Sequence, residues 1–304
     1  MTKKILLLII GFVIFWNSGF VGAEFGLPYA NIYTQLFWRY LGLTLLLLVY
    51  LNLRGHFKWV TWEQARPHLL VGVLAHGVWL TCSLVAIAEG VPAGIVALII
   101  SLQPLATGAL SGWVTGEHTS TQQWIGLVIG FLGVGLSVAF RVDLESSTPA
   151  WSYFIPLGSV IAITIASLYQ RHMELNKSIN RLPSLLSLFY QSLGTMVVLF
   201  FPAVAVESLA TQWTTEFILT EVWLILAVSL LAYAFMWKLI ERMSATKVAS
   251  LFYLGPPVTM FMAWLMFGDQ VFISDILGLI VIVNGLLITE VNIKKQLAKL
   301  KKSE

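Results

Sequence analysis

Ten apolar stretches follow one another along the chain, and short polar connections separate them. A helix that crosses a bilayer needs about 20 mostly apolar residues. The stretches that approach this length cover residues 5–22, 31–52, 69–88, 92–114, 122–140, 151–170, 184–203, 222–240, 247–267 and 273–291. The pattern therefore predicts an all-α integral membrane protein with ten transmembrane helices.

The composition indicates that lipid is the main solvent of this chain. Of its 304 residues, 58% are hydrophobic and 11% are charged, whereas a soluble domain carries about 25% charged residues. The net charge of +3 gives no reason to expect a nucleic-acid partner. The single cysteine, Cys82, excludes an intramolecular disulfide and a cysteine cluster for a metal. We expect no metal and no cofactor.

The first apolar stretch has two interpretations. Lys3 and Lys4 precede it, and Val21-Gly22-Ala23 is similar to a small-residue cleavage site, so the segment has the outline of a secretory signal peptide. The other interpretation is a first transmembrane helix that begins at Ile5. We favour the helix because the internal repeat described below requires it.

The positions of the basic residues predict the orientation, because cytoplasmic loops of membrane proteins are enriched in Lys and Arg. With the N-terminus in the cytoplasm, sixteen of the eighteen basic residues fall on the cytoplasmic side. The exceptions are Arg141, which falls outside, and Arg39, which falls within a span. We therefore expect both termini to be cytoplasmic, including a basic tail over residues 292–304.

The chain repeats itself at a shift of 152 residues, which is half its length. Between residues 89 and 133, eleven of 45 positions are identical at this shift, without a gap. Pro104 and Pro256 are among the paired positions. We therefore predict two repeats, with spans one to five in residues 1–150 and spans six to ten in residues 151–291.

Each repeat holds an odd number of spans, so the two copies must cross the membrane in opposite directions. Inverted five-helix repeats of this kind are typical of secondary transporters, and interrupted helices at matching positions point to their substrate site near the midplane. The paired prolines would free the carbonyls of Ile100 and Phe252. We expect these carbonyls to line a polar cavity; the alternative is a kink that only shapes packing.

Several short motifs resemble the EamA-type branch of the drug/metabolite transporter superfamily. They are Phe15-Trp16-Asn17-Ser18-Gly19-Phe20-Val21, Phe37-Trp38-Arg39, Gln103-Pro104, Gly116-Glu117, Leu254-Gly255-Pro256-Pro257 and Gly268-Asp269. Their order and the repeat extend the resemblance over the chain up to residue 291. The resemblance implies a ten-helix carrier in the bacterial inner membrane that works by alternating access. It also implies a cavity lined by helices one, three, four, six, eight and nine.

The resemblance further implies a secondary active transporter that exports a small organic metabolite, for example an amino acid. Within transport, the alternative is an importer or an exchanger of another solute, driven by a proton or a counter-substrate. Outside transport, the alternatives are a membrane sensor and a membrane-embedded enzyme. The spans contain no clustered catalytic motif and the chain has no nucleotide-binding glycine loop, so we expect neither an enzyme nor direct use of ATP.

Polar and aromatic side chains inside the spans are the candidates for substrate binding, because a small organic ligand suits an aromatic pocket with a few polar groups. They are Trp16, Asn17, Ser18, His76, Trp79, Gln103, Pro104, Tyr169, Tyr233, Trp237, Tyr253 and Pro256. For each aromatic residue, packing or a place at the membrane interface is the alternative role.

Two residues are candidates for a charge role. His76 lies in the middle of span three, and an unperturbed histidine changes its charge near neutral pH. It either carries a coupling proton or forms a neutral hydrogen bond to another helix. Arg39 lies inside span two, where it either pairs with a substrate carboxylate or a helix end, or extends to the interface. No Asp or Glu falls in the middle of a predicted span, so we expect a neutral, zwitterionic or anionic substrate.

Gly126 and Gly130 form a GxxxG pattern in span five. Small residues at this spacing let two membrane helices approach closely. The pattern predicts close helix packing, either within one protomer or between two, so the carrier is expected to be a monomer or a homodimer.

Overall fold

The computed structural model describes residues 3–91, 96, 99–138, 149–176, 182–268 and 272–290. Within these ranges the chain forms consecutive helices joined by short connections. They are α1 (Lys3–Gly26), α2 (Ile32–Leu53), α3 (Trp62–Ala88), α4 (Gln103–Thr115), α5 (Thr121–Val138), α6 (Ala150–Leu175), α7 (Ser184–Ala205) and α8 (Thr215–Arg242). The series ends with α9, which consists of the segments Ala245–Ser250, Leu251–Leu254 and Gly255–Phe267, and with α10 (Ile273–Glu290).

The helices have the length and surface of membrane spans. α1, α2, α3, α6, α7, α8 and α9 are long and apolar enough to cross a membrane, and α5 and α10 are shorter apolar helices. Large apolar side chains such as Trp113 and Leu53 are exposed. Over the described residues, the prediction of an all-α membrane protein is confirmed, while the count of ten spans stays a prediction. The predicted basic tail, Arg141 and most of the first third of span four lie outside the described residues.

Helices at equivalent positions of the two predicted repeats pack against each other. The Thr44 hydroxyl of α2 donates to Ser192 Oγ of α7 at 3.0 Å, and the rings of Phe37 and Phe200 lie 5.6 Å apart. Because residue numbers rise along α2 as they fall along α7, the two helices are antiparallel. α5 and α10, which also occupy equivalent positions, pack antiparallel over most of their length.

In the remaining contacts, equivalent helices of the two predicted repeats have equivalent neighbours. α1 packs on α8 and α9, and its equivalent α6 packs on α3 and α4. Gly22 faces Leu224 and Gly11 faces Phe235, so α1 and α8 are antiparallel. The α2–α7 pair packs on α3 and α8, and the α5–α10 pair packs on α4 and α9. The two pairs therefore flank a central group of helices.

Each of the paired prolines lies at the start of a regular α-helical segment. Pro104 lies in the first turn of α4, and Pro256 lies in the first turn of the last segment of α9. N–H groups in a first turn have no partner within the helix, so proline there costs no hydrogen bond. The Phe252 carbonyl accepts from the Gly255 N–H in a short 3₁₀ turn. The expectation that proline leaves this carbonyl free is therefore wrong.

Other irregularities recur at equivalent positions. Gly116 follows α4 with φ of 71°, and Gly268 follows α9 with φ of 74°, a left-handed conformation that favours glycine at a helix end. α3 contains a π-helical turn at Val73–Val78, and α8 contains one at Leu224–Ala232. The sequence pattern did not predict the π-helical turns, which are frequent at functional sites.

Glycines permit the close contact of α5 with α10. A Cβ atom at Gly126 would lie 2.6 Å from the Gly285 carbonyl oxygen, and one at Gly133 would lie 2.9 Å from the Ile282 amide nitrogen. The GxxxG pattern therefore packs two helices of the same protomer, where a side chain would collide with the facing backbone.

Gly126→Val is expected to destabilise the protein by about 1–3 kcal/mol, because the added side chain overpacks the contact. Val128→Leu, on the exposed face of the same helix, is the matched control and is expected to have little effect. Thermal unfolding of the purified protein in detergent measures both. Equal unfolding temperatures for the two variants would contradict this packing.

Candidate functional site

A cavity of about 680 Å³ lies between α1, α3, α9 and the chain just before α4. We call it the main cavity. Its volume is in the range of pockets that bind small molecules. The lining residues with aromatic or polar side chains include Phe12, Trp16, Asn17, Phe20, Glu24, Asn31, Trp79, Ser83, Ser101, Phe252 and Thr259.

Aromatic rings form one wall of the main cavity. The Trp16 ring lies 5.1 Å from the Trp79 ring and 5.0 Å from the Phe252 ring, measured between centroids, and Phe12 lies 5.3 Å from Phe252. The rings are tilted or edge-to-face, which are favourable arrangements for aromatic pairs. The wall offers flat apolar surface to a ligand and joins α1, α3 and α9.

A few polar groups lie opposite or beside this wall. Asn17 Nδ2 donates to the Val13 carbonyl at 2.7 Å, and Asn17 Oδ1 accepts from the Thr259 hydroxyl at 3.3 Å. These bonds orient the amide between α1 and α9. Among the described lining residues, Glu24 is the one charged side chain. The arrangement suits a largely apolar ligand that carries a small number of polar groups.

The structure brings together part of the predicted site. Trp16, Asn17, Trp79 and Pro256 line the main cavity. Ser18 faces α8 instead, where its hydroxyl donates to the Phe15 carbonyl at 2.8 Å and accepts from the Trp223 indole at 3.1 Å.

A second cavity, of about 30 Å³, lies beside the main cavity and has room for one or two water molecules. We call it the side cavity. Trp16 and Trp79 line both spaces, and Gln35, Arg39 and Tyr233 line the side cavity. The helices that contribute are α1, α2, α3 and α8. α8 therefore lines the side cavity only, and α6 lines neither cavity.

The side cavity contains the buried guanidinium of Arg39, which is 2% exposed. Arg39 Nε donates to the Ser229 hydroxyl at 2.6 Å, while Nη2 has no hydrogen-bond partner. Both polar atoms of the buried Gln35 amide also lack a partner. Arg39 thus remains inside the bundle and does not extend to the interface.

A carboxylate that none of the predicted spans included lies beside this group. Glu221 is 6% exposed in α8 and faces Gln35, and neither of its carboxylate oxygens has a hydrogen-bond partner. The sequence pattern placed Glu221 outside span eight, which was predicted to begin at residue 222. The observed helix begins at Thr215, so Glu221 lies in its second turn, where α8 packs against α1 and α2.

His76 lies in a buried hydrogen-bonded network outside both cavities. Its Nε2 lies 3.1 Å from Gln191 Oε1, and its Nδ1 lies 3.1 Å from the Tyr40 hydroxyl. Because Gln191 Oε1 only accepts, Nε2 carries the proton and Nδ1 accepts from Tyr40. The Trp237 indole also donates to Gln191 Oε1, at 2.9 Å. The geometry is that of a neutral histidine bonded to α2 and α7.

Tyr233 connects this network to the first π-helical turn. Its ring centroid lies 3.8 Å from that of His76, and its hydroxyl donates to the Ala75 carbonyl at 2.8 Å. The carbonyl belongs to the π-helical turn of α3, where the regular helical pattern of bonds is interrupted. Tyr233 of α8 thus supplies a partner across the helix interface.

Other predicted site residues lie in packing positions. Tyr253 is fully buried with Leu127, Val134 and Ile282 at the α5–α10 contact. Gln103 and Pro104 are buried at the start of α4, and Tyr169 packs at the edge of the core. None of the three lines the main cavity or the side cavity.

An ion pair lies at the opposite end of the bundle from the main cavity. Arg171, near the end of α6, contacts Glu117, just after α4, through Nη2–Oε1 at 2.6 Å and Nε–Oε2 at 3.1 Å. Arg171 Nη1 donates to the Ile240 carbonyl at 2.8 Å, near the end of α8. The group joins the two predicted repeats where α4, α6 and α8 end. The main cavity lies towards the other end, where α1, α3 and α9 finish.

Comparison with known proteins identifies the family. The sequence profile described as "EamA-like transporter family" matches residues 3–139 and again residues 150–291. The chain belongs to the EamA-like transporter family. The two matches place a copy of the family domain in each half of the chain, consistent with the drug/metabolite transporter superfamily. Family membership and the apolar helices together indicate a multi-pass membrane protein.

This EamA-like transporter is similar to two curated bacterial proteins. "Uncharacterized transporter YvbV" of Bacillus subtilis (strain 168) is 26% identical over 208 residues, which are 68% of this chain and 66% of YvbV. "Uncharacterized inner membrane transporter YedA" of Escherichia coli (strain K12) is 30% identical over 140 residues, which are 45% of this chain and 43% of YedA. The chain thus matches less than two thirds of the length of either relative. One solved crystal structure shares its fold, with a TM-score of 0.77 over 95% of this chain and 98% of the other, at 14% identity.

Sequence analysis of this EamA-like transporter missed several polar residues at the cavities. Ser83, Ser101 and Thr259 line the main cavity, and Gln35 and Glu221 lie at or beside the side cavity. For Thr259 a signal was present, because it is identical to its repeat partner at the shift of 152 residues. Gln35 and Glu221 meet only through the packing of α2 on α8, which the sequence pattern does not specify.

Gln191→Leu is expected to destabilise the EamA-like transporter by about 1–3 kcal/mol, because it leaves the buried His76 and Trp237 donors without their shared acceptor. Asn284→Leu is the matched control, since the Asn284 amide is exposed and donates only within its own helix. Thermal unfolding in detergent gives the comparison. A stability loss no larger than that of the control would show that the network contributes little.

Proposed function

We propose that this EamA-like transporter is a secondary active transporter that exports a small organic metabolite, such as an amino acid, by alternating access. The observation that carries the proposal is a cavity of ligand size on one side of the bundle, opposite an ion pair that joins the two predicted repeats on the other. A carrier that opens to one side at a time needs both features.

The proposed architecture is ten spans in two inverted five-helix repeats, residues 1–150 and 151–291. The antiparallel pairing of α2 with α7, and of α5 with α10, supports it. Equivalent helices that run in opposite directions are the signature of inverted repeats. The recurring first-turn prolines, glycine caps and π-helical turns support the same relation.

The distribution of basic residues assigns the two ends of the bundle to the two sides of the bacterial inner membrane. With both termini in the cytoplasm, the main cavity opens outward and the Arg171–Glu117 pair faces the cytoplasm. This conformation is then the outward-facing state of the carrier. An exporter would receive its substrate after this ion pair opens, and would release it through the main cavity.

The proposed substrate contacts are those of the main cavity. Trp16, Trp79 and Phe252 provide an apolar aromatic surface, while Asn17 and Thr259 provide an amide and a hydroxyl at fixed positions. An importer or an exchanger would use the same contacts, because the gradients of the solutes set the direction. A membrane sensor or a membrane-embedded enzyme remains the alternative outside transport, and the transport assay below distinguishes these classes.

The transport assay uses proteoliposomes preloaded with an unlabelled amino-acid mixture and exposed to a labelled mixture of the same composition. We expect accumulation above empty liposomes. Asn17→Ala is expected to reduce the initial rate about three- to tenfold, since a hydrogen-bonding group of the cavity is lost. Ser18→Ala, at the neighbouring position that faces α8, is the control. Absence of accumulation for amino acids, sugars, nucleosides and organic anions alike would contradict a transport function.

We expect the Arg171–Glu117 ion pair to hold the cytoplasmic end closed. The reporter is Ser167→Cys, whose rate of reaction with a membrane-impermeant maleimide measures access to this end. Glu117→Gln is expected to increase that rate roughly fivefold. A partly exposed ion pair stabilises the closed end by up to about 1 kcal/mol, and the variant loses this contribution. The measurement uses inside-out vesicles and Cys82→Ser as background. The exposed Glu63→Gln serves as the control. An unchanged rate would show that the ion pair does not hold this end closed.

A further inference from the structure

Exposed basic and aromatic side chains lie together where α2 ends and α3 begins. Arg54, Lys58 and Arg66 are exposed, and the side chains of Trp59 and Trp62 are 77% and 69% exposed. We call these five residues the basic surface. Within the described residues, none of its three cations forms an ion pair. The positive charge is therefore available to a partner outside the chain.

A glycine turn directs the chain out of α2. Gly55 has φ of 64°, the left-handed conformation that ends many helices. The amides of His56 and Phe57 both donate to the Leu51 carbonyl, at 2.9 and 3.1 Å. The turn thus provides partners for a carbonyl at the end of α2 and leaves the Arg54 side chain exposed.

Contacts with α7 hold the rest of this connection in place. The Tyr190 hydroxyl accepts from the Val60 amide at 3.2 Å and donates to the Lys58 carbonyl at 3.3 Å. The Phe57 and Phe189 ring centroids lie 5.2 Å apart in an edge-to-face contact. The backbone of the connection is therefore bound to the bundle, while the side chains of the basic surface remain exposed.

The basic surface lies at the same end of the bundle as the Arg171–Glu117 pair. Tyr190, which binds the connection, is in the second turn of α7. Ser184, the first residue of α7, donates to Glu241 Oε1 at 3.1 Å, near the end of α8. Because α2 and α3 are both long enough to span a membrane, the connection between them lies at the membrane boundary. Tryptophan and basic side chains are favoured at that depth.

The equivalent connection of the second predicted repeat has a different chemistry. At the shift of 152 residues, the five positions of the basic surface correspond to Val206, Ala210, Thr211, Thr214 and Ile218. That connection carries Glu207 instead, whose carboxylate accepts from the Tyr33 and Thr34 amides. Two helices can thus be joined at this place without cations or exposed indoles. The basic surface is a property of one end of the bundle.

Orientation alone does not account for the composition of this surface. The enrichment of basic residues in cytoplasmic loops requires neither a fixed shape nor exposed tryptophans. Trp62 and Arg66 are four residues apart in α3, so they share one face of the helix. A guanidinium donates paired hydrogen bonds to phosphate oxygens, and an indole N–H donates one. The combination therefore fits a phosphate group in the headgroup layer.

We propose that the basic surface binds the headgroup of an anionic phospholipid at the membrane face beside the Arg171–Glu117 pair. Arg54, Lys58 and Arg66 contact the phosphate, because basic clusters next to a membrane span attract anionic lipids. The Trp59 and Trp62 rings lie in the headgroup layer above the acyl chains. Lipid binding here goes beyond the proposed transport function and does not depend on which solute is carried.

The test measures the unfolding temperature of the purified full-length protein in a neutral detergent as lipid is added. Dioleoyl phosphatidylglycerol and dioleoyl phosphatidylcholine share their acyl chains and differ in net headgroup charge. A ligand that binds the folded state raises the unfolding temperature. We expect phosphatidylglycerol to act at concentrations about tenfold lower than phosphatidylcholine, and this preference to shrink at high salt, where charges are screened.

Two double variants with the same change in net charge distinguish a site from general attraction. Arg54→Gln with Lys58→Gln removes two cations of the basic surface, and this variant is expected to lose most of the preference for phosphatidylglycerol. Lys238→Gln with Arg242→Gln removes two exposed cations near the end of α8. This control is expected to keep the wild-type preference, because its cations lie outside the basic surface.

Equal effects of the two lipids on the wild-type protein would overturn the proposal. An equal loss of preference in both double variants would also overturn it, because net charge alone would then explain the binding. Glycerol phosphate provides the soluble comparison, and a rise in unfolding temperature equal to that with phosphatidylglycerol would show a site for free phosphate instead of lipid. If the first double variant does not fold, Arg66→Gln is compared with Lys238→Gln, and an unchanged preference in both would contradict lipid binding here.

Discussion

Lipid offers no hydrogen bonds, so each polar group inside a membrane protein depends on a partner within the protein. Regular helices meet this requirement for their own backbone, and the constraint acts where a helix becomes irregular. In this chain the Phe252 carbonyl is bound by Gly255, and the Ala75 carbonyl of a π-helical turn is bound by the Tyr233 hydroxyl. In both cases the partner of the carbonyl is a group of the protein itself.

The same constraint distinguishes the positions around Arg39 and Gln191, which correspond at the shift of 152 residues. Around Gln191, the side chains of His76, Trp237 and Ser187 satisfy one another in a closed network. Around Arg39, the side chains leave donors and acceptors unused. Corresponding positions of the two predicted repeats thus carry two different kinds of polar group. The closed network joins α2, α3, α7 and α8.

The contacts between the halves also differ in strength between regions. α5 and α10 meet through glycines whose replacement would cause collisions with backbone atoms. At the cytoplasmic end assigned by the proposal, the polar contacts between the halves include the partly exposed Arg171–Glu117 ion pair and the contact of His172 Nδ1 with the Val114 carbonyl. Partly exposed ion pairs contribute little free energy, so a carrier can exchange them when it changes state. The close α5–α10 contact is suited to remain intact during that change.

The sequence determined the membrane class, the repeat and the family, because apolar length, register and motif order are local properties of the chain. It also identified Trp16, Asn17, Trp79 and Pro256, which share one cavity and lie on helices that the family resemblance implies to be cavity-lining. The tertiary structure alone decided that Tyr253 packs against α5, that His76 bonds to α2 and α7, and that Glu221 lies buried beside Gln35. These outcomes depend on which helix faces meet and on where α8 begins. Neither is encoded in hydrophobic periodicity, because in lipid both the outer and the inner faces of a helix are apolar.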